Sequence, residues 1–69
     1  MEFNLDGREY VELKNLLKLL DFVNSGGEAR HMIRSGKVKV DNEVEIRPGK
    51  KLRAGNTINY DNQMIVINP

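Results

Sequence analysis

The sequence SGGEARHMIRSGKVKVDNEVEI, residues 25–46, predicts a short capped helix that leads directly into a β-hairpin. Ser25 and Glu28 have the spacing of a capping box, in which the serine side chain bonds the glutamate amide and the glutamate reaches back to the serine amide. Ala29, Met32 and Ile33 follow at helical spacing and form one apolar stripe. We therefore predict a helix that begins after Ser25 and buries one face.

The second half of this stretch predicts the hairpin. Gly36 ends the helix, because glycine tolerates the left-handed backbone found after helix C-termini. Residues 37–40 alternate lysine with valine, as expected of a half-buried strand. Asp41-Asn42 supplies a turn, with Asn42 suited to a left-handed conformation, and a returning strand follows from Val44 to Ile46.

The length and composition exclude several classes of function. A chain of 69 residues predicts one small domain, residues 1–69, with little room for a catalytic cleft. It has no cysteine and one histidine, which excludes disulfides, thiolate nucleophiles and the usual cysteine or multi-histidine metal sites. We expect no catalytic residue, metal, cofactor or small-molecule substrate. Without a long apolar segment or signal peptide, a cytoplasmic protein with no membrane contact is expected.

The charge is unevenly distributed along the chain. The net charge is only +1, but residues 29–53 contain eight lysines and arginines against three acidic residues, whereas residues 1–28 contain three against six. A basic segment on an otherwise balanced domain is typical of a surface that binds a polyanion.

Helices and strands are also predicted on either side of the capped helix. A brief strand is expected over residues 1–5 and a helix over residues 12–22. The apolar stripe of that helix, which we assign to the core, consists of Leu13, Leu16, Leu17 and Leu20. Two further strands are expected over residues 56–60 and 63–67, the last buried on both faces or central in the sheet.

Two features of the basic segment could serve a ligand. Gly26 and Gly27 lie in the first helical turn, where they either leave backbone amides open to a phosphate or allow two helices to cross closely. The loop over residues 47–55 contains the turn signal Pro48-Gly49 and four cations, which suits either a sugar-phosphate backbone or a solvated sheet edge.

These motifs resemble the RNA-binding domain first defined in the small-subunit ribosomal protein S-four. The matching positions are Ser25, Ala29, Ile33, Gly36, Val38, Val40 and Asp41, followed by residues 55–58. Short free-standing bacterial members of the YbcJ and YaaA type are especially similar, because they share the SGG segment and a basic loop like residues 47–52. The resemblance covers nearly all of the chain.

The resemblance implies a fold, a ligand and a set of contacts. The fold is α+β, an αL motif with two or three short helices on a small, mostly antiparallel sheet of about four to five strands. The ligand is structured RNA, commonly ribosomal or transfer RNA, bound by a monomer without catalysis. The expected contacts are Ser25, Gly26, Gly27, Arg30, Arg34, Lys37, Lys39, Arg47, Lys50, Lys51 and Arg53, the last added from its charge.

Three positions depart from the family pattern, and two other functions stay open. Gly26 replaces a common basic residue, Glu43 a hairpin glycine, and Asn56 a common aspartate. The alternatives to RNA binding are duplex DNA binding by the two-helix unit and a protein-interaction adaptor that docks through the acidic first helix. The scattered aromatic residues favour recognition of RNA backbone and shape over base stacking.

Overall fold

The computed structural model covers residues 1–69 and contains two helices and seven strands. The helices are α1 (Leu13–Leu19) and α2 (Gly26–Arg34). The strands are β1 (Glu2–Asn4), β2 (Val11–Glu12), β3 (Val38–Val40), β4 (Glu43–Val44), β5 (Lys51–Leu52), β6 (Thr57–Tyr60) and β7 (Gln63–Asn68). No helix is long and apolar enough to cross a bilayer.

Five strands form one sheet in the order β1-β7-β6-β3-β4. Only the β1–β7 pair is parallel, so the sheet is mostly antiparallel, as predicted. The predicted α+β class is confirmed, and the number of helices is two. Strands β2 and β5 form a separate antiparallel pair that the sequence analysis did not predict, because its partners are 40 residues apart in the register Val11 to Leu52 and Glu12 to Lys51.

The two hairpin turns have the same geometry. Asp41 and Asn42 have φ values of 51° and 69°, and Asp61 and Asn62 have φ values of 52° and 62°. Short polar side chains tolerate this left-handed region, and two such residues in succession suit the twist of a tight hairpin. The predicted turns are confirmed, but the returning strand is shorter than expected. It ends at Val44, and Ile46 lies outside it with an exposed side chain.

The core lies between the helices and one face of the sheet. It contains fourteen buried apolar residues, which include most of the predicted leucine stripe and the α2 residues Ala29 and Ile33. Leu20 is only partly buried. In β7, Ile65 and Ile67 are buried but Met64 is exposed. Strand β7 lies between β1 and β6 in the sheet, as expected of a central strand. Only one of its faces is fully covered.

Helix α1 ends earlier than predicted. The leucine pattern extended to Phe22, but the helix stops at Leu19, and Asp21 takes a left-handed conformation with φ of 60°. The amide of Asp21 donates to the carbonyl of Lys18, and the amide of Phe22 donates to that of Leu17. This is the hydrogen-bond pattern of a Schellman cap. The expected signal, a glycine, is replaced here by an aspartate, so the end was not recognised.

Asn56 closes a hydrogen-bond network between the hairpin and β6. Its side-chain Nδ2 donates to Asp41 Oδ2 at 2.7 Å, and its Oδ1 accepts from the amide of Arg53 at 2.7 Å. The other carboxylate oxygen of Asp41 accepts from the amide of Thr57 at 2.9 Å. The departure from the family aspartate is thereby explained, because an amide at position 56 supplies a donor that a carboxylate lacks.

We predict that Asn56→Asp lowers the free energy of unfolding by about 1 kcal/mol at pH 7, because two carboxylates then face each other on the surface. The loss fades as the pH falls toward about 4, because protonation of the carboxylates removes their repulsion. Urea denaturation monitored by circular dichroism measures it. The exchange Asp41→Asn/Asn56→Asp restores a donor and an acceptor and should recover wild-type stability. A single variant as stable as wild type at pH 7 would contradict the assignment.

Candidate nucleic-acid interface

The start of α2 is built around Ser25. Its hydroxyl accepts from the amide of Glu28 at 3.1 Å, as the capping box predicted. The reciprocal bond differs from the prediction. The Glu28 carboxylate accepts from the amide of Asn24 at 2.7 Å, one residue before the expected Ser25 amide. The amides of Gly26 and Gly27 donate to no acceptor in the protein, so the positive end of α2 keeps two free donors.

The two glycines have no packing role that the structure reveals. A Cβ at Gly26 would meet only Arg30 Nη1 at 4.0 Å, and one at Gly27 only Ser25 Oγ at 3.9 Å. Neither residue has a positive φ. The explanation that glycine lets the helices cross closely is therefore wrong. The remaining explanation is access to the backbone, since a side chain there would cover the free amides.

One cation lies beside this helix start, and others follow along α2 and into the hairpin. Arg30 lies one turn after Gly26 and brings its guanidinium beside it. Arg34 and Lys37 are exposed at the far end of α2 and after it. Lys39 lies on the sheet face opposite the core, because its neighbours in β3 are buried. Lys37 and Lys39 border one shallow depression of the surface.

Arg47 is held by Glu45, a residue that sequence analysis did not identify. Its Nε and Nη2 donate to the two carboxylate oxygens at 2.9 and 3.1 Å, and its amide donates to Glu45 Oε2 at 3.0 Å. The Glu45 side chain is 11% exposed, against 71% for Arg47. Glu45 occupies the inward position after β4, where its amide donates to the carbonyl of Val38.

The surroundings of Glu45 strongly favour its charged form. The side-chain hydrogen bond from Arg47 lowers the pKa of Glu45 from its ordinary 4.5 to about 2. The Arg47 amide and the charges of Arg47 and Lys50 add to this effect, and burial opposes it. The same hydrogen bond raises the pKa of Arg47. The positive charge of Arg47 is thus already matched by a carboxylate, although its guanidinium remains accessible.

The basic loop is also fixed to α1 through its backbone. The amides of Leu13 and Lys14, at the start of α1, donate to the carbonyls of Lys50 and Pro48 at 2.9 and 3.0 Å. No side chain caps this helix, so the loop satisfies amides that would otherwise lack partners. The orientation of the loop is therefore tied to the orientation of α1.

Lys51 and Arg53 lie on either side of the buried Leu52 and both extend over Tyr10. Lys51 Nζ is 4.9 Å and Arg53 Cζ is 5.5 Å from the centre of the ring. Arg53 also forms an exposed ion pair with Glu9 at 3.1 Å. No local pattern in the sequence indicates this contact, because Tyr10 meets these residues only through the long-range β2–β5 pair.

Several of the predicted site residues fall into three groups of neighbours. The first is the α2 start with Arg30, the second is Arg47 and Lys50 around Glu45, and the third is Lys51 and Arg53 on Tyr10. Six of the eight cations between residues 29 and 53 form no ion pair. They are Arg30, Arg34, Lys37, Lys39, Lys50 and Lys51. No group of three His, Cys, Asp or Glu side chains is placed to hold a metal ion.

We predict that Glu45→Gln lowers the free energy of unfolding by about 1–2 kcal/mol at pH 7, a value reduced for solvent screening of the exposed guanidinium. Because the folded pKa of Glu45 lies below its unfolded value, its contribution is complete above about pH 4.5 and is lost as the pH falls toward about 2. The difference between variant and wild type in urea denaturation should shrink over that range. A difference that is constant from pH 7 to 2 would contradict the assignment.

Comparison with known proteins agrees with this architecture. The sequence model of the S4 domain matches residues 3–68. YbcJ of Escherichia coli strain K12, provisionally named an RNA-binding protein, is 43% identical over 58 residues, which cover 84% of this chain and 83% of YbcJ. RlbA of Bacillus subtilis strain 168, provisionally named a ribosome maturation protein, is 34% identical over 53 residues, 77% of this chain and 75% of RlbA.

Two solved structures share the fold. The solution structure of E. coli YbcJ, described as revealing an αL motif involved in RNA binding, has a TM-score of 0.74 at 37% identity and covers 99% of this chain and 86% of that chain. Trimeric Heat Shock Protein 15 of Vibrio cholerae also has a TM-score of 0.74, at 26% identity. It covers 88% of this chain, which spans 65% of that protein. The chain therefore belongs to the S4 domain family.

Proposed function

We propose that this protein is a non-catalytic module that binds structured RNA through α2, the β3–β4 hairpin and the basic loop. The observation that carries the proposal is the start of α2. Gly26 and Gly27 are needed neither for packing nor for backbone geometry, their amides are free, and Arg30 lies beside them. A helix start of this kind suits a phosphate group, which accepts hydrogen bonds from the amides and is attracted by the helix dipole and the arginine.

The unpaired cations extend this contact along a phosphate backbone. Each of the six cations without a carboxylate partner can neutralise a phosphate and release a counterion. Helix α2 contains neither Asn nor Gln, the residues that read adenine in the major groove of DNA. Recognition of phosphates and of the shape of A-form RNA is therefore better supported than reading of duplex DNA sequence.

Ribosomal or transfer RNA is the proposed target; the names of the relatives support RNA in general and, in one case, the ribosome. RlbA is named for ribosome maturation, and the structure of YbcJ is described as having a motif involved in RNA binding. None of the relatives described above is named as an enzyme. In this proposal residues 1–69 act as one domain and bind RNA as a monomer. Sedimentation at the concentrations used for binding tests the oligomeric state, and a trimer such as that of the Vibrio relative would overturn that part.

We predict that the protein binds a fluorescein-labelled ribosomal RNA stem–loop at least about tenfold more tightly than a DNA stem–loop of the same sequence, because A-form geometry and 2′-hydroxyl groups distinguish the two. Fluorescence anisotropy at one fixed salt concentration measures both affinities. Equal affinities would contradict RNA specificity. A cellular partner that remains bound after ribonuclease treatment would instead support the protein adaptor.

We predict that Gly26→Ala/Gly27→Ala stabilises the fold and weakens RNA binding. Each alanine gains about 0.5 kcal/mol of helix stability over glycine, since the new methyl groups meet no neighbour closer than 3.9 Å. Covering the amides should lower the affinity for the stem–loop about tenfold, the loss expected when charge-assisted hydrogen bonds are broken. Thermal unfolding and anisotropy measure the two effects. A more stable variant with unchanged affinity would show that the α2 start is not part of the interface. If the variant is more stable and binds RNA more weakly, unfolding cannot explain the weaker binding.

A further inference from the structure

Tyr10 is a half-exposed aromatic residue that holds two cations at once. Its side chain is 37% exposed, and Lys51 Nζ and Arg53 Cζ lie 4.9 and 5.5 Å from the ring centre. The β2–β5 pair fixes this arrangement, because Leu52 is fully buried opposite Val11 and the residues on either side of it must project the other way. The ring and the two cations are therefore placed by the core.

A ring holds cations differently from a carboxylate. The face of the ring attracts a cation through its quadrupole, but it carries no net charge and leaves the positive charge available. Arg47 shows the contrast, because both oxygens of Glu45 face its guanidinium. Lys51 has no carboxylate partner, and the single partner of Arg53 is the exposed Glu9 carboxylate. An exposed pair of this kind contributes little and is easily exchanged for a phosphate.

The surface around Tyr10 adds further positive charge. Arg8 and Lys18 line the same depression as Tyr10, on the outward side of α1. The acidic residues on this part of the surface are Glu9 and Glu12, so four cations face two carboxylates. No ion pair or cation–ring contact links these groups to the start of α2, where the proposed RNA site begins. The surface is thus a part of the proposed RNA-binding region that has an aromatic centre.

We propose that Tyr10, Lys51 and Arg53 form a second RNA contact, in which the two cations hold a phosphodiester group and Tyr10 acts as their positioning residue. This inference rests on the proposed RNA-binding function and extends it to the outward side of α1. The occupant is a further segment of the same RNA backbone, because two cations that lie two residues apart over one ring suit the oxygens of one phosphate. Glu9 competes with that phosphate for Arg53.

The test compares variants on the labelled RNA stem–loop by anisotropy over a range of salt concentrations. Lys51→Gln/Arg53→Gln should lower the affinity about tenfold and reduce the slope of log affinity against log salt by about 0.8, as the loss of one neutralised phosphate requires. Tyr10→Leu should lower the affinity about threefold, whereas Tyr10→Phe, which keeps the ring, should stay within about twofold of wild type. Urea denaturation confirms that each variant is folded.

Glu9→Gln provides a test whose expected result cannot come from unfolding, because the affinity for RNA should increase. Releasing Arg53 should raise the affinity about threefold, as expected for removal of one competing exposed charge. The matched control is Asp21→Asn, which changes the net charge equally but removes no ion pair. Equal effects of the two variants would show a general charge effect and overturn the proposal.

Amide and side-chain NMR signals separate failure of this inference from failure of the proposed function. On titration with the stem–loop, shifts of Gly26 and Gly27 together with Tyr10, Lys51 and Arg53 support both contacts. Shifts confined to the α2 start overturn the second contact and leave RNA binding intact. If no signal shifts and anisotropy detects no binding, the RNA-binding function itself is overturned.

Discussion

The structure depends on which groups accept hydrogen bonds from the amides at the starts of the two helices. Helix α1 has no side-chain cap, and the carbonyls of Pro48 and Lys50 accept from its first amides. Helix α2 has a serine cap, but the amides of Gly26 and Gly27 stay free. Since unsatisfied donors must find partners in water, protein or ligand, the amides of α1 bind the basic loop, and those of α2 are open to the ligand that we propose.

The same division appears among the cations. Glu45 is almost buried, and it holds Arg47 through three hydrogen bonds that also set the backbone of the loop. Tyr10 holds Lys51 and Arg53 without neutralising them. A carboxylate orders the loop at the expense of one charge, whereas an aromatic ring orders two side chains and leaves their charges for a partner. We infer that Arg47 contributes more to the shape of the surface than to the electrostatic attraction between the surface and a ligand.

Local features of the fold could be predicted from the sequence, and long-range ones could not. The Ser25 cap, the Gly36 stop and the Asp-Asn turns depend on residues within four positions of one another, so their chemistry is visible in a short window. The β2–β5 pair depends on two dipeptides 40 residues apart, each too short to show a pattern. The end of α1 was missed because Asp21 performs a role that usually belongs to glycine.

The candidate site shows the same limit. The basic segment identifies which residues carry charge, but not which charges are matched. Glu45 and Glu43 look equivalent in the sequence, yet Glu43 lies in β4 and is exposed, whereas Glu45 follows the end of that strand and turns inward toward Arg47. Tyr10 likewise gains its cations only when β5 meets β2. Position 56 has asparagine where the family commonly has aspartate, and the reason is a hydrogen bond to Asp41 that the sequence does not show.

The distribution of carboxylates gives a final reason to regard the basic segment as a binding surface. A chain with ten acidic and eleven basic residues has enough carboxylates to pair nearly every cation. The fold nevertheless leaves six of the eight cations between residues 29 and 53 without an ion pair. Their mutual repulsion opposes folding, while an exposed ion pair would have contributed little. The three cations of residues 1–28 are unpaired as well, so what distinguishes residues 29–53 is their excess of eight basic over three acidic residues. An excess of one sign in a continuous segment suits a partner of the opposite sign, and a phosphate backbone supplies that charge at regular spacing.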